Sequence, residues 1–167
     1  MSERFLPFTH VLTKWLIGMP LRYLFFRAEV EGLDNIPSSG GAILVANHMS
    51  NFDPGLIGTT MKRRIRFMAK QELFKPGLGL LLRLHGDFPV RRLERDSAAV
   101  RMAQQVVREG DILGMFPEGT RSKTASMNRA HPGTALLALR TGVPVIPAGI
   151  TGTEKIRDIQ TILLHRP

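Results

Sequence analysis

Short apolar runs that alternate with helix-forming segments are the feature that most constrains the fold of this chain. A Pro-Ser-Ser-Gly-Gly turn leads into the apolar run 41–46, which predicts a buried strand. The same reasoning predicts further strands at 65–69, 112–116 and 143–150, and helices at 54–60, 77–84, 97–109 and 134–140. Strands that alternate with helices indicate one α/β domain over residues 28–167, with a mixed, largely parallel sheet flanked by helices.

Residues typical of helix ends predict where two of these helices begin. Asp53 is expected to cap the first helix, because a proline follows it, and Asp96 is expected to cap the third. In that third helix, Val100, Ala103 and Val107 recur at helical spacing and are expected to lie on one face.

The segment 1–27 contains the most apolar stretch of the chain. Two basic residues and a proline interrupt it, so neither a transmembrane helix nor a signal peptide is predicted. Its pattern favours a pair of short amphipathic, membrane-associating helices. Trp15 and Tyr23 would lie near the lipid headgroups, and Lys14 and Arg22 would meet lipid phosphates. The alternative is that these side chains simply cover the core.

The sign of the charge limits the partners that the chain can bind. There are 23 Lys and Arg against 14 Asp and Glu, a net charge of +9, which favours nucleic acid, anionic lipid or phosphorylated small molecules. A nucleic-acid role lacks support, because the sequence has one Tyr, one Trp and no nucleic-acid motif.

Several classes of active site are excluded by composition and motif. The absence of cysteine excludes disulfides, thiolate metal sites and a cysteine acyl-enzyme. The five histidines lack the spacing of a zinc site, so no metal is predicted. Neither a Gly-x-Ser-x-Gly elbow nor a Gly-Lys-Ser/Thr phosphate loop occurs, which disfavours serine hydrolases and nucleotide-binding enzymes.

The first candidate block is residues 47–53, Asn-His-Met-Ser-Asn-Phe-Asp, directly after a predicted strand. The end of a strand beside the start of a helix is where α/β sheets place ligands. If the loop turns back, the Asp53 carboxylate fixes the tautomer of His48, and the other ring nitrogen can deprotonate a hydroxyl. The alternatives are that Asp53 is only a helix cap and His48 a satisfied polar residue.

The second candidate block is residues 116–122, Phe-Pro-Glu-Gly-Thr-Arg-Ser, which also follows a predicted strand. Gly119 allows a tight turn, and Arg121 offers a planar donor suited to a phosphate monoester. The hydroxyls of Thr120 and Ser122 can add further contacts. The block therefore predicts a phosphate cradle, and the alternative is a surface turn in which Glu118 and Arg121 pair.

These two blocks resemble the signature blocks of the glycerolipid acyltransferase family. That family is recognised by Asn-His-x-x-x-x-Asp and by Phe-Pro-Glu-Gly-Thr-Arg-Ser, and both are complete here. A middle block with phenylalanine and arginine is similar to residues 88–92, Phe-Pro-Val-Arg-Arg, and a proline-containing strand to residues 143–147. Four blocks in order are far more specific than any one of them.

The resemblance implies a role for each residue of the blocks. His48 would be the general base on the acceptor hydroxyl, and Asp53 would orient it. The acceptor phosphate would be held by Arg121, by Lys70 and by one of two competing arginines, Arg91 or Arg92. Lys70 and Arg91 can also be interpreted as solvated surface charges. Glu118 and Gly119 would shape the acceptor site, Thr120 would be a further substrate-binding residue, and Asn47 would support the His48 loop.

The reaction implied by the resemblance is acyl transfer from acyl-coenzyme A or acyl carrier protein to the free hydroxyl of 1-acylglycerol-3-phosphate, giving phosphatidic acid. A thioester is already activated, so neither a cofactor nor an enzyme nucleophile is expected. The substrates and an anionic membrane surface would be the partners, with acyl carrier protein as a further one. The expected location is peripheral, at the cytoplasmic face of the cell membrane.

Three alternatives to this interpretation remain open. In the first alternative, the acceptor is another lysophospholipid. In the second, the chain is a non-catalytic protein that binds anionic lipid. Members of the family usually continue beyond the last block, so a fragment is one interpretation of a chain that ends at Pro167.

Overall fold

The computed structural model describes residues 11–12, 14–19, 28–91, 96–122, 124 and 126–156. Within these residues the chain forms five strands, β1 (Ala42–Ala46), β2 (Ile65–Lys70), β3 (Phe88–Val90), β4 (Ile112–Met115) and β5 (Val145–Ala148). Over the same ranges it forms four α-helices, α1 (Asp53–Thr60), α2 (Leu78–His85), α3 (Ser97–Arg108) and α4 (Gly133–Thr141). The predicted alternation of strands and helices is therefore confirmed.

The five described strands form one sheet in the order β3-β2-β4-β1-β5. Every neighbouring pair is parallel, so the parallel character of the predicted sheet is confirmed. The antiparallel pairing that a mixed sheet implies does not occur among these strands. Each connection between consecutive strands contains a helix, and such crossovers are what parallel pairing requires.

Strand β3 is absent from the sequence-based assignment, and its composition explains why. It has three residues, Phe88–Val90, with a proline in the middle, and proline removes a backbone donor from the sheet. The strand tolerates it because, among the described strands, β3 lies at the edge and pairs only with β2. At the other edge of these five strands, β5 also contains a proline and is shorter than the predicted segment 143–150.

The sheet is covered on both faces by apolar side chains, as expected for a parallel sheet. Consecutive residues of β1 alternate between the two faces. One face packs against α1 through Ala42, Leu44, Ala46, Ile57, Met61, Ile65, Phe67, Ile112 and Ile146. The opposite face packs against α3 and α4 through Ile43, Phe88, Ala103, Val106, Val107, Leu113 and Leu137.

Helix α3 begins where its predicted cap places it. A side-chain oxygen of Asp96 accepts a hydrogen bond from the backbone N–H of Ala99 at 3.0 Å, so this cap is confirmed. The buried stripe of the helix consists of Ala99, Ala103, Val106 and Val107. Val100 is expected to share a face with Ala103 and Val107, but it is 38% exposed, because it lies at the margin of the buried stripe.

The described part of the N-terminal segment contains a π-helical turn, Lys14–Gly18. The Lys14 ammonium donates a hydrogen bond to the Met61 carbonyl at the end of α1, and Trp15 is 61% exposed. The second of the two predicted amphipathic helices, with Arg22 and Tyr23, lies outside the described residues. Among the residues that are described, no helix has the length and apolar character needed to span a bilayer.

Gly41 allows β1 to approach the end of α3 closely. A Cβ atom added at this position would lie 2.0 Å from the carbonyl oxygen of Val107, and backbone cannot move aside as a side chain can. We therefore expect Gly41→Ala to lower the free energy of unfolding by about 1–3 kcal/mol. The midpoint of urea denaturation measures this change.

The matched control is Gly133→Ala at the first residue of α4, where a Cβ atom would meet nothing within 4 Å. We expect this variant to be as stable as the parent or slightly more stable. Equal midpoints for the two variants would contradict the close approach of β1 and α3.

Candidate active site

The two candidate blocks meet at the carboxyl edge of the sheet. Strands β1 and β4 are parallel neighbours, so the loops that follow them leave the sheet side by side. The backbone N–H of Ser122, in the second loop, donates to the carbonyl of His48, in the first, at 2.8 Å. The residues predicted from separate parts of the sequence are thus joined by a direct hydrogen bond.

His48 and Asp53 form the contact that the sequence predicts. The ring Nδ1 of His48 lies 2.9 Å from Asp53 Oδ2, and both residues are buried. When the Nδ1–H group of the neutral ring donates to this carboxylate oxygen, the lone pair lies on Nε2. This arrangement suits a general base that takes a proton at Nε2.

The expectation that Asp53 caps helix α1 is wrong. Asp53 is the first residue of that helix, and Phe52 occupies the cap position without a side-chain cap hydrogen bond. The Asp53 carboxylate instead faces the preceding loop: Oδ2 also accepts from the backbone N–H groups of Met49 and Ser50, each at 2.7 Å. These bonds fix the carboxylate that orients His48.

A stack of aromatic rings supports the other side of the histidine. The His48 ring lies on Phe116, with 4.1 Å between ring centroids, and Phe116 in turn stacks on Phe67 at 5.7 Å. This contact was not predicted, because Phe67 belongs to a strand whose face cannot be assigned from a short apolar run. The stack limits rotation of the imidazole, so its Nε2 is held in one direction.

Glu118 is a buried link between the two loops. One carboxylate oxygen accepts from the backbone N–H of His48 at 2.9 Å, and the other accepts from that of Asn128 at 2.8 Å. The side chain is 2% exposed, so the alternative of a surface turn closed by a Glu118–Arg121 pair does not describe it. Both carboxylate oxygens of Glu118 accept hydrogen bonds from backbone N–H groups instead.

Asn47 and Ser50 connect the histidine loop to the segment after β5. The Asn47 side chain donates to the Ile150 carbonyl at 2.8 Å and accepts from the Ile150 N–H at 2.7 Å. The Ser50 hydroxyl donates to the Ile156 carbonyl at 3.1 Å. The predicted support role fits the position of Asn47, and Ser50 is a supporting residue that the sequence analysis missed.

Gly119 makes the turn of the second block possible. Its φ of +66° lies in the left-handed region, where glycine avoids the strain of a side chain. A Cβ atom there would lie 3.2 Å from the His131 ring. Thr120 and Arg121 follow this turn and are exposed, so their polar groups are accessible to a ligand.

The predicted phosphate-binding cations follow the carboxyl ends of successive strands. Lys70 ends β2, and Arg91 follows β3. Each also has an acidic neighbour: Lys70 Nζ lies 3.1 Å from a Glu72 oxygen, and Arg91 Nε lies 3.8 Å from an Asp96 oxygen. Backbone N–H donation by Arg91 and then by Ala99 lowers the pKa of Asp96, so this carboxylate stays ionised beside Arg91.

Lys70, Arg91 and Arg121 therefore lie at or after the carboxyl ends of three strands of the sheet, β2, β3 and β4. Arg92 lies outside the described residues. Within the described part of the chain, no group of three or more His, Cys, Asp or Glu side chains is arranged to hold a metal ion.

The burial of Glu118 predicts the effect of Glu118→Gln. A glutamine amide offers one accepting oxygen, so one of the two backbone N–H groups would face an NH₂ group and lose its partner. We expect the free energy of unfolding to fall by about 1–3 kcal/mol, as measured by urea denaturation. Glu31→Gln, at an exposed position, is the matched control and should change stability by less than about 0.5 kcal/mol. Equal effects would argue against the buried link.

Comparison with known proteins agrees with this geometry. The family model described as Acyltransferase matches residues 27–151. A chloroplastic 1-acyl-sn-glycerol-3-phosphate acyltransferase of Brassica napus is 31% identical over 175 residues, which cover 96% of this chain and 50% of that protein. A 1-acyl-sn-glycerol-3-phosphate acyltransferase of Bacillus subtilis is 28% identical over 134 residues, which cover 78% of this chain and 66% of that protein.

A solved structure is also similar. The crystal structure of the 1-acyl-sn-glycerophosphate (LPA) acyltransferase PlsC from Thermotoga maritima superposes with a TM-score of 0.76 at 30% identity, covering 96% of this chain and 66% of that chain. The chain spans about half the length of the curated chloroplast relatives that it matches.

Proposed function

Because the chain belongs to the acyltransferase family, we propose that it transfers a fatty acyl group from a thioester to the free hydroxyl of 1-acylglycerol-3-phosphate, forming phosphatidic acid. The observation that carries this proposal is the buried His48–Asp53 pair, with 2.9 Å between Nδ1 and Oδ2. The relatives and the solved structure named above, which carry the name of this activity, support the choice of acceptor.

In the proposed reaction, His48 Nε2 accepts the proton of the acceptor hydroxyl as its oxygen attacks the thioester carbonyl. A C–O bond forms and the C–S bond breaks, and the proton passes to the departing thiolate. The acyl donor is acyl-coenzyme A or acyl carrier protein. Asp53 keeps the ring in the required tautomer and stabilises the transient imidazolium through Oδ2.

The acceptor phosphate is proposed to bind Arg121, with Lys70 and either Arg91 or Arg92 adding positive charge. The positions of Lys70 and Arg91 at the ends of neighbouring strands support this role, as does the exposure of Arg121. A guanidinium can form two parallel hydrogen bonds with a phosphate. Glu118, Gly119 and Thr120 are proposed to shape the acceptor site, and Asn47 to support the loop of His48.

We propose that the chain acts as a peripheral protein at the cytoplasmic face of the cell membrane. Its acceptor is an amphiphile that resides in a bilayer, and its net charge of +9 favours anionic headgroups. The exposed Trp15 side chain in the described part of the N-terminal segment is of the kind that membrane interfaces accept.

The test of the proposed function is His48→Ala. We expect turnover to fall by about 10²- to 10⁴-fold, because the variant has no general base. The measurement is thiol release from palmitoyl-coenzyme A, with and without lysophosphatidic acid; the chain contains no cysteine and so adds no thiol background. The matched control is His85→Ala, which removes a histidine also paired with an aspartate, at 3.0 Å, but located just before the amino end of β3.

Release that requires both the acceptor and His48 would support the proposal, and His85→Ala should remain active. A parent protein that binds anionic vesicles but releases no thiol with either donor would instead favour the non-catalytic lipid-binding alternative. Preference for another lysophospholipid over lysophosphatidic acid would overturn the proposed acceptor.

The phosphate role predicts the effect of Arg121→Ala. We expect the KM for lysophosphatidic acid to rise by about tenfold or more, since a bidentate contact to the phosphate is lost. Arg121→Lys should recover this loss only in part, because an ammonium cannot reproduce the planar pair of donors. Initial rates with lysophosphatidic acid and with monoacylglycerol measure the selectivity for phosphate. Arg140→Ala, at an exposed position on α4, is the control; an equal rise in KM there would indicate a general charge effect.

A further inference from the structure

Four leucines lie exposed within nine residues around the start of helix α2. Leu73, Leu78, Leu80 and Leu81 are 43%, 50%, 61% and 40% exposed, respectively. Single exposed leucines are ordinary, but several large apolar side chains exposed within so short a segment indicate a contact site. We call these four residues the leucine surface.

Close packing at one side of the helix explains why its leucines are left outside. Gly79 is buried against the backbone of Phe74, and a Cβ atom at Gly79 would lie 2.5 Å from the Phe74 carbonyl carbon. Such a close approach is possible because Gly79, alone among residues 78–81, has no side chain. The neighbouring Leu78 and Leu80 are consequently kept at the surface.

Basic side chains accompany the leucine surface. Residues 70–85 contain Lys70, Lys75 and Arg83 against a single carboxylate, Glu72. The Arg83 guanidinium lies 5.6 Å from the centre of the Phe74 ring, a cation–π contact that holds its charge near the start of α2. Leucine side chains flanked by Lys and Arg are typical of segments that lie in the headgroup region of a membrane.

The leucine surface also lies near the edge of the sheet that carries His48. Lys70 is the last residue of β2, and α2 starts eight residues later. Because β1 and β2 both run parallel to β4, the carboxyl end of β2 is on the same edge as the loop of His48. The start of α2 and the candidate active site therefore belong to the same side of the protein.

We propose that the leucine surface is a membrane-docking face that enters the boundary between headgroups and acyl chains of a bilayer containing anionic phospholipid. The inference rests on the proposed function, in which the acceptor comes from such a bilayer. It assigns docking to the start of α2, in addition to the N-terminal segment. The side chains of Lys75 and Arg83 bind the lipid phosphates. The side chains of Leu78, Leu80 and Leu81 leave water and contact the acyl chains.

Charge favours a bilayer over a second copy of this chain. A twofold dimer through the leucine surface would bring Lys75 and Arg83 of one copy close to the same residues of the other. Like charges at an interface oppose association. Anionic headgroups instead neutralise these cations, so the same surface is complementary to the lipid.

A fluorescent label at Leu80 tests the proposal in the full chain. Because the protein has no cysteine, Leu80→Cys can carry a single polarity-sensitive fluorophore. The matched control is Leu139→Cys on α4, at a leucine that is 83% exposed. Both proteins are mixed with phosphatidylcholine vesicles, with or without phosphatidylglycerol. We expect the emission at position 80 to shift to shorter wavelength with the anionic vesicles and to be quenched by brominated acyl chains, whereas the label at 139 stays unchanged.

A paired substitution adds a measurement that requires no label. Leu80→Ser combined with Leu81→Ser should lower the vesicle partition coefficient by about tenfold or more, since two apolar side chains no longer leave water. Leu139→Ser should change it by less than about twofold. Circular dichroism of each variant verifies that the fold is intact.

Two results would overturn the proposal. If the chain binds vesicles while the label at position 80 keeps its aqueous spectrum, docking uses another surface. If the spectrum shifts without vesicles and the shift grows with protein concentration, the leucine surface contacts a second copy. Neither readout requires turnover, so a chain that docks through Leu80 but shows no acyl transfer would overturn the proposed function alone.

Discussion

Three consecutive backbone N–H groups donate to two buried carboxylates, and the candidate site depends on this arrangement. The N–H of His48 reaches Glu118 in the loop after β4, while those of Met49 and Ser50 reach Asp53 at the start of α1. Hydrogen bonds from backbone N–H groups replace part of the hydration that a carboxyl group loses on burial. The conformation of the 48–50 loop therefore depends on the Asp53 and Glu118 carboxylates, and the burial of these carboxylates depends on the N–H groups of the loop. His48 is held through its own backbone as well as through its ring.

Parallel pairing of β1 with β4 brings these groups within reach. Val45 pairs with Met115, so the two strands end almost level and their loops start at the same height. Phe116, the first residue after β4, then lies against the His48 ring, and Glu118 follows two residues later. An antiparallel β4 would carry its second loop to the opposite edge of the sheet. The topology thus fixes the partners of His48 before any side chain is specified.

Sequence patterns located most elements of the fold because their signals are local. Asp96 capped its helix as predicted, since an Asx cap needs only residues of the same turn. Asp53 gives an equally clear local signal for a helix cap. Its carboxylate nevertheless bonds to the preceding loop, because the fold places the His48 ring next to it. The Glu118 link to His48 spans 70 residues, and no sequence spacing reports such a bond. The family resemblance implies that Glu118 belongs to the site. Its two hydrogen-bond partners, the backbone N–H groups of His48 and Asn128, are visible only in the structure.

The connection between β2 and α2 relates the candidate site to the leucine surface. Lys70 ends β2 and Leu78 begins α2, and eight residues span at most about 28 Å even when fully extended. The 3-10 turn Gln71–Leu73 shortens this path. A cation proposed for the acceptor phosphate and a leucine proposed for the bilayer are therefore tied within about one membrane thickness of each other. In the proposed reaction, a lysophospholipid would present its headgroup at the edge of the sheet while its acyl chain remains largely in the lipid.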